Sequence, residues 1–151
     1  MNTQSSVVRP LANDFVTLYE SPDPQRLFAY SPGIARLPNG RLVATLDLGG
    51  PGAAELPEPK YQRGEMGWSW QGKVYSSDDG GTTWAHRADF PFMHARPFAA
   101  DGSVYVLGHA GDLMIIRSDD GGETWSAPVK LTEGQYWHQA PAMVLSSSSA
   151  R

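Results

Sequence analysis

The sequence predicts an all-β fold built from repeated antiparallel sheets, and three observations carry that prediction. Ser77-Asp78-Asp79-Gly80-Gly81-Thr82-Thr83-Trp84 and Ser118-Asp119-Asp120-Gly121-Gly122-Glu123-Thr124-Trp125 share the pattern Ser-x-Asp-x-Gly-x-Thr-Trp and start 41 positions apart. Self-similarity at a fixed spacing marks a repeated supersecondary unit. Each copy follows a run with strand chemistry, Lys73-Val74-Tyr75-Ser76 and Leu113-Met114-Ile115-Ile116-Arg117. The third observation is punctuation: 16 Gly and 12 Pro divide 151 residues into short segments, the habit of chains made of short strands and tight turns.

Inside each copy the paired glycines supply the positive φ of a tight turn, and the Asp carboxylate with the Ser and Thr hydroxyls can satisfy the turn's own backbone N–H groups. The Trp then has a fixed place to pack between neighbouring sheets. Ser77, Asp79, Gly81, Thr83 and Trp84, with Ser118, Asp120, Gly122, Thr124 and Trp125, are accordingly assigned to structure, since side-chain bonds to local backbone are the usual work of such residues at turns.

Taken in order, residues 1–14 are polar and are expected to be loosely held. Phe15 to Glu20 alternates weakly before Ser21-Pro22-Asp23-Pro24 and is expected to form an outer strand. Gly33-Ile34-Ala35-Arg36-Leu37, a Pro38-Asn39-Gly40 turn and Arg41 to Leu48 form a hairpin. Residues 49–71 show no period, and Lys73 to Ser76 leads into the first turn motif. The second unit is more compact: Pro97 to Ala100, Asp101-Gly102, Ser103 to Gly108, Ala110-Gly111-Asp112, then Leu113 to Arg117. This is an up-and-down order of short strands, the plan of one propeller blade.

Aligning the units exposes an insertion. Gly40 and Gly102 are 62 positions apart whereas Ser77 and Ser118 are 41 apart, so the first unit carries 21 extra residues within 49–71. That segment holds Tyr61, Met66, Trp68, Trp70, Glu55, Glu58 and Glu65, and a long aromatic-rich insertion reads as a substrate-facing loop. Each innermost strand also starts in a similar way: Tyr30-Ser31-Pro32, His94-Ala95-Arg96-Pro97 and His138-Gln139-Ala140-Pro141 place polar or aromatic side chains before a Pro. In a propeller such positions converge on the central funnel from different blades, and a concave site with convergent polar groups is where function is sought first. The candidate set is Tyr30, His94 and His138 for catalysis, with Asp47, Arg96, His109, Tyr136 and Trp68 for substrate binding. His and Tyr can act as base and acid, and Arg can hold an anion. Each has a structural alternative: Asp47 as a solvated carboxylate, His109 as a turn cap, and His94 and His138 as strand-start residues.

The two turn motifs resemble the Asp box, or bacterial neuraminidase repeat, of the sialidase-like β-propellers, and both copies match at all five defining positions. The resemblance implies about two complete four-stranded blades with partial blades at each end, over residues 15–145, followed by a polar tail at 146–151. It places the boxes away from the active centre and implies a carbohydrate-active protein, an exo-glycosidase of exo-α-sialidase type hydrolysing terminal sugars of glycans. The family's Arg-Ile-Pro motif departs here: Tyr30 stands where its Arg belongs, Gly49 falls near a second family Arg, and the loop bearing the catalytic Asp offers Glu55, Glu58 and Glu65. Neither Tyr nor Gly replaces a guanidinium fork that grips a carboxylate. A lyase acting on uronic-acid polysaccharides through His, Tyr and Arg, and a non-catalytic glycan- or protein-binding propeller fragment, stand as alternatives.

Composition bounds the rest. With no Cys, disulfides, thiolate metal sites and a Cys nucleophile are excluded. A formal net charge of −4 without a basic stripe speaks against nucleic acid. No apolar run approaches a membrane span of roughly 20 residues, and Met1 to Ser6 lacks the segments of a secretory signal, so a cytoplasmic location is expected unless the natural start lies further upstream. No cofactor is expected, and the spacings of His94, His109 and His138 match no compact zinc motif. The strand inventory also predicts a partial domain whose open blade edges favour self-association.

Overall fold

The computed structural model describes residues 14–63 and 68–137. Its strands are β1 (Phe28–Arg36), β2 (Leu42–Gly49), β3 (Tyr61–Arg63), β4 (Trp68–Ser77), β5 (Ala85–Phe90), β6 (Met93–Ala100), β7 (Ser103–Ala110), β8 (Asp112–Ser118) and β9 (Val129–Lys130), with a short 3-10 helix at Pro51–Glu55. All pairings are antiparallel and fall into two sheets. In the first, β1-β2-β4 run side by side, and β4 pairs with β3 along its first half and β5 along its second. The second sheet runs β6-β7-β8-β9. No helix among the described residues is long and apolar enough to cross a membrane.

Alternation builds the core. Val43 and Val74 of the first sheet and Val104, Val106 and Ile116 of the second turn to a shared interior filled by Phe90, Phe92 and Ala95. Phe90 and Phe92 pack with ring centroids 4.3 Å apart, and β6 lies against β1, β2 and β4. The fit is close. A Cβ on Gly72 would fall 1.8 Å from the Phe90 ring, and one on Gly33 2.8 Å from Pro97; bare backbone is what lets the layers meet at these points. A second cluster, Leu27, Leu46, Leu48, Ala53 and Tyr75, covers the far face of the first sheet.

The two turn motifs fold nearly bond for bond alike. Ser77 Oγ donates to Asp79 Oδ1 (2.8 Å) and accepts from Gly81 N–H (2.9 Å), while Asp79 accepts from Thr83 N–H (2.9 Å) and Thr83 Oγ1 (2.6 Å). In the second copy Ser118 Oγ donates to Asp120 (2.7 Å) and accepts from Gly122 N–H (2.7 Å), and Asp120 accepts from Thr124 N–H (3.0 Å) and the Thr124 hydroxyl. The indoles of Trp84 and Trp125 donate to Gly81 O (3.0 Å) and Gly122 O (3.2 Å). Donation to the carboxylate holds Asp79 down at about 2 and Asp120 lower still, the Thr hydroxyl contributing most in each. Gly81 and Gly122 have φ of 94° and 90°, which only glycine adopts without strain. Trp125 packs on the core shared by the sheets, and Trp84 on the far-face cluster. Arg41 ties the motifs together: its guanidinium grips Asp78 through two bonds of 2.6 Å, donates to Gly121 O (3.1 Å) and meets Glu123.

Two expectations need correction. Phe15 to Glu20 forms no strand. Its inward residues Leu18 and Tyr19 are adjacent in sequence and lie across the far face of the first sheet, which a strand with alternating faces could not achieve. The insertion at 49–71 is not without period throughout: it contains the 3-10 helix and β3. Buried Gln71 fastens it, donating from Nε2 to Pro57 O (2.8 Å) and Pro59 O (3.1 Å), and Lys60 Nζ donates to Ala54 O (2.8 Å) and Leu56 O (2.7 Å).

Candidate functional site

The first strands of the two sheets, β1 and β6, carry the same irregularity at the same place. In β1, Tyr30 pairs with Asp47 and Gly33 with Thr45, leaving Ser31 and Pro32 bulged. In β6, Met93 pairs with His109 and Arg96 with Leu107, leaving His94 and Ala95 bulged. One bulge residue in each takes positive φ, 50° at Ser31 and 53° at His94. This conformation is uncommon outside glycine and is held by its surroundings. Asp47 and His109 therefore occupy equivalent positions on β2 and β7.

The bulges are held by side chains from across the sheet interface. Asp47 Oδ2 accepts from His94 N–H (2.5 Å), and Thr45 Oγ1 donates to Ala95 O (3.1 Å), so β2 secures the bulge of β6. In return Arg96 Nη1 donates to Ser31 O (2.8 Å) and to its neighbour Ala95 O (3.0 Å), securing the bulge of β1. His94 Nδ1 then lies 2.9 Å from His109 Nε2; such a contact has room for one proton, donated by one ring and accepted by the other. Asp47 is 1% exposed. Burial pushes its carboxyl up to about 7, with the His94 N–H, the Ser31 hydroxyl, the Ala95 N–H and the Arg96 guanidinium pulling the other way. Its Oδ1 has no hydrogen bond of full geometry among the described residues.

Above this floor lies a cleft of about 300 Å³. Tyr30, Asp47, His94 and His109 form its base. One side is the insertion: Tyr61 stacks on Trp70 at 6.3 Å, and Trp70 meets Trp68 at 5.9 Å, giving a continuous aromatic ledge on β3 and β4. Trp68 is 54% exposed. Tyr136 and Trp137 also line it, carried by a segment that Asp112 fastens: it accepts from Gln135 N–H (2.9 Å) and Thr132 Oγ1 (3.2 Å), while Trp137 N–H donates to Gly111 O (3.0 Å). These donors, Gln135 N–H foremost, hold Asp112 below the usual carboxylate range.

Six residues of the candidate set, Tyr30, Asp47, Trp68, His94, His109 and Tyr136, thus line one cleft. Arg96 stands behind its floor with the guanidinium turned to two carbonyls, and His138 lies outside the described residues. Asp47 is buried rather than solvated. Sequence reasoning missed Met93, Gly111 and Trp137 in the lining, and it missed Asp112 and Gln71 as the residues that position the walls. The insertion's aromatic content was the available signal for Tyr61 and Trp70; Asp112, which the sequence places in the Ala110-Gly111-Asp112 turn and the fold puts at the start of β8, gave none. Among the described residues no group of three or more His, Cys, Asp or Glu side chains is arranged to hold a metal ion.

No family model matches the chain, and no curated protein matches it. Among solved structures it is similar to a sialidase from Trypanosoma rangeli, at 18% identity and a TM-score of 0.44 over 60% of this chain and 13% of the sialidase. It is also similar to an α-L-arabinanase from Penicillium chrysogenum complexed with arabinobiose, at 21% identity and a TM-score of 0.47 over 68% of this chain and 31% of the arabinanase. A Dyadobacter fermentans protein of unknown function matches at 16% identity and a TM-score of 0.34, over 71% of this chain and 51% of that one. The chain therefore spans only a fraction of each protein it resembles.

Proposed function

We propose that the cleft is the glycan-binding site of a carbohydrate-active, glycosidase-like β-protein. The observation that carries this reading is the aromatic ledge Tyr61–Trp70–Trp68 flanking a polar floor. A sugar ring has apolar C–H faces and a rim of hydroxyls, so it suits a site that offers ring faces beside a few convergent polar groups. The left-handed bulges present Tyr30 and His94 from two different strands, and the cross-sheet bonds of Asp47 and Arg96 hold them before any ligand arrives. Isothermal titration with a panel of oligosaccharides tests the reading. Binding should weaken about 10-fold or more in Trp68→Ala, the loss expected for one aromatic contact, with the unfolding midpoint little changed because Trp68 is half exposed. Absence of binding across the panel overturns it.

A second reading adds exo-hydrolysis of a terminal sugar. The hydrogen-bonded His94–His109 pair favours it, since it can pass a proton between the cleft and the buried interior. Against the usual two-carboxylate arrangement, the lining among the described residues has one carboxylate, Asp47, buried in the floor. Release of chromophore from aryl glycosides, lost in His94→Ala, distinguishes turnover from binding alone.

A further inference from the structure

We infer that the cleft takes a chain of linked sugar rings rather than a single sugar, because its aromatic side chains form a row across the strands β1, β2, β4 and β3 that is longer than any one ring. The inference rests on the glycan-binding reading above and narrows its ligand class to linear oligosaccharides.

The row follows from the register of the first sheet. On β4, Trp68 and Trp70 are two residues apart and project from the same face, and Tyr61 on β3 is the cross-strand partner of Trp70. On the other side of β4 come β2 and then β1. There a Cβ on Gly49 of β2 would lie 3.0 Å from Trp70 Cδ1 and Nε1 and 3.1 Å from Tyr30 Cε2. Bare backbone at Gly49 lets the Trp70 ring and the Tyr30 ring of β1 close over β2. Tyr30, Trp70 and Tyr61 therefore stand in line across the sheet. Three strand spacings of about 4.8 Å make that line about 14 Å long, whereas one sugar ring is about as wide as one aromatic side chain. Trp68, half exposed, carries the surface from Trp70 along β4 toward solvent.

The rings are turned to offer faces. Phe28 and Tyr30 meet edge to face, at 85°, as rings do when they fill a space between themselves. In the ledge the planes differ by only 30° between Tyr61 and Trp70 and 31° between Trp70 and Trp68, with centroids 6.3 and 5.9 Å apart. Each face is thus turned nearly the same way as its neighbour and displaced by about one ring width. Consecutive units of a sugar chain present their C–H faces in the same stepped way, with a small twist between them. The platform is also set before a ligand arrives. Gln71, next to Trp70 and on the opposite face of β4, is buried and holds the insertion through Pro57 O and Pro59 O, which lowers the ordering cost of binding.

A single sugar covers one or two of these rings and leaves the others in water. Each further unit covers another face and removes its apolar surface from solvent, so affinity climbs with chain length until the row is full.

The test is isothermal titration of the full chain with one- to five-unit members of the series that binds in the oligosaccharide panel, β-1,4-linked xylose, mannose and glucose among them. Weak members are measured by displacement of the tightest one. The three-unit sugar should bind at least about 10-fold more tightly than the single unit, the size expected of one added aromatic contact, with little gained beyond four units. Trp68→Ala should cost the longer sugars more than the single unit and so flatten the series, and Trp68→Phe, which keeps a ring face, should restore part of the slope. The length series on the unaltered chain stands even where a variant folds poorly. Equal affinity at one, three and five units overturns the inference while leaving the glycan reading intact. A series that Trp68→Ala and Tyr61→Ala both leave as steep as before also overturns it, because the chain would then be gripped elsewhere. Failure of every length and of the whole panel removes the glycan reading itself.

Discussion

Asp47 gives the sharpest stability prediction. Its carboxyl is 1% exposed and is pushed from 3.8 up to about 7, with burial the largest cause. Between about pH 4 and about pH 7 the unfolded chain has released this proton and the folded chain still holds it. The folded state therefore binds more protons in that window, and stability falls as pH rises through it, with the whole penalty present above the folded pKa. The shift spans about three pH units at about 1.4 kcal/mol each, an upper bound of about 4 kcal/mol. Asp47→Asn keeps an acceptor for the His94 N–H and removes the ionisation. Urea unfolding followed by Trp fluorescence should show the variant gaining on the wild type by up to about 4 kcal/mol between about pH 4 and about pH 8. Other titrating groups, including the His residues, are common to both proteins and drop out of the difference to first order. Parallel stability curves, agreeing within about 1 kcal/mol across the range, would refute the reasoning and mean that the bonds from His94 and its neighbours compensate burial in full.

Gly72→Ala should be strongly destabilising, by about 3 kcal/mol or more in urea unfolding, because its Cβ would lie 1.8, 2.1 and 2.4 Å from three ring atoms of Phe90, a ring already packed on Phe92. For Asp79, held down at about 2 by donors from Thr83 and Ser77, the sign is opposite to that of Asp47. Its contribution is present above the unfolded carboxyl's pKa and lost as pH falls from about 4 to about 2, so Asp79→Asn should lower the thermal midpoint at neutral pH and match the wild type near pH 2. Asp112→Ala should loosen the Tyr136–Trp137 wall and weaken sugar binding about 10-fold, whereas Asp112→Asn, which can still accept from Gln135 N–H, should retain most of the affinity in the same titration.

The turn motifs were legible in the sequence because they are local. Ser77, Asp79, Gly81 and Thr83 satisfy one another within seven residues, so their pattern carries their geometry wherever the surrounding sheet lies. The hairpins were legible for the same reason: alternation and turn residues specify them without reference to distant chain. The 21-residue insertion was visible by comparing the two units, but its order was not, because that depends on Gln71 reaching back to Pro57 and Pro59. Phe15 to Glu20 had enough alternation to read as a strand, and lost that role because its apolar residues found a sheet face to cover.

By itself the sequence determined an all-β chain, the two repeated turns, the hairpin order and the recurrence of polar and aromatic residues before a Pro in Tyr30-Ser31-Pro32 and His94-Ala95-Arg96-Pro97. Those features depend on neighbours a few residues apart and on the period of hydrophobicity. Tertiary structure decided which of those residues meet. It brought Asp47 under His94 from 47 positions away and His109 to 2.9 Å from His94, and it drew Arg96 back to Ser31 O, 65 positions away. The Asp47 and Arg96 placements follow from the way β6 packs against β1 and β2 and the histidine pair from the pairing of β6 with β7, and burial, which moves a carboxyl from solvated to protonated near neutral pH, exists only once the sheets have packed.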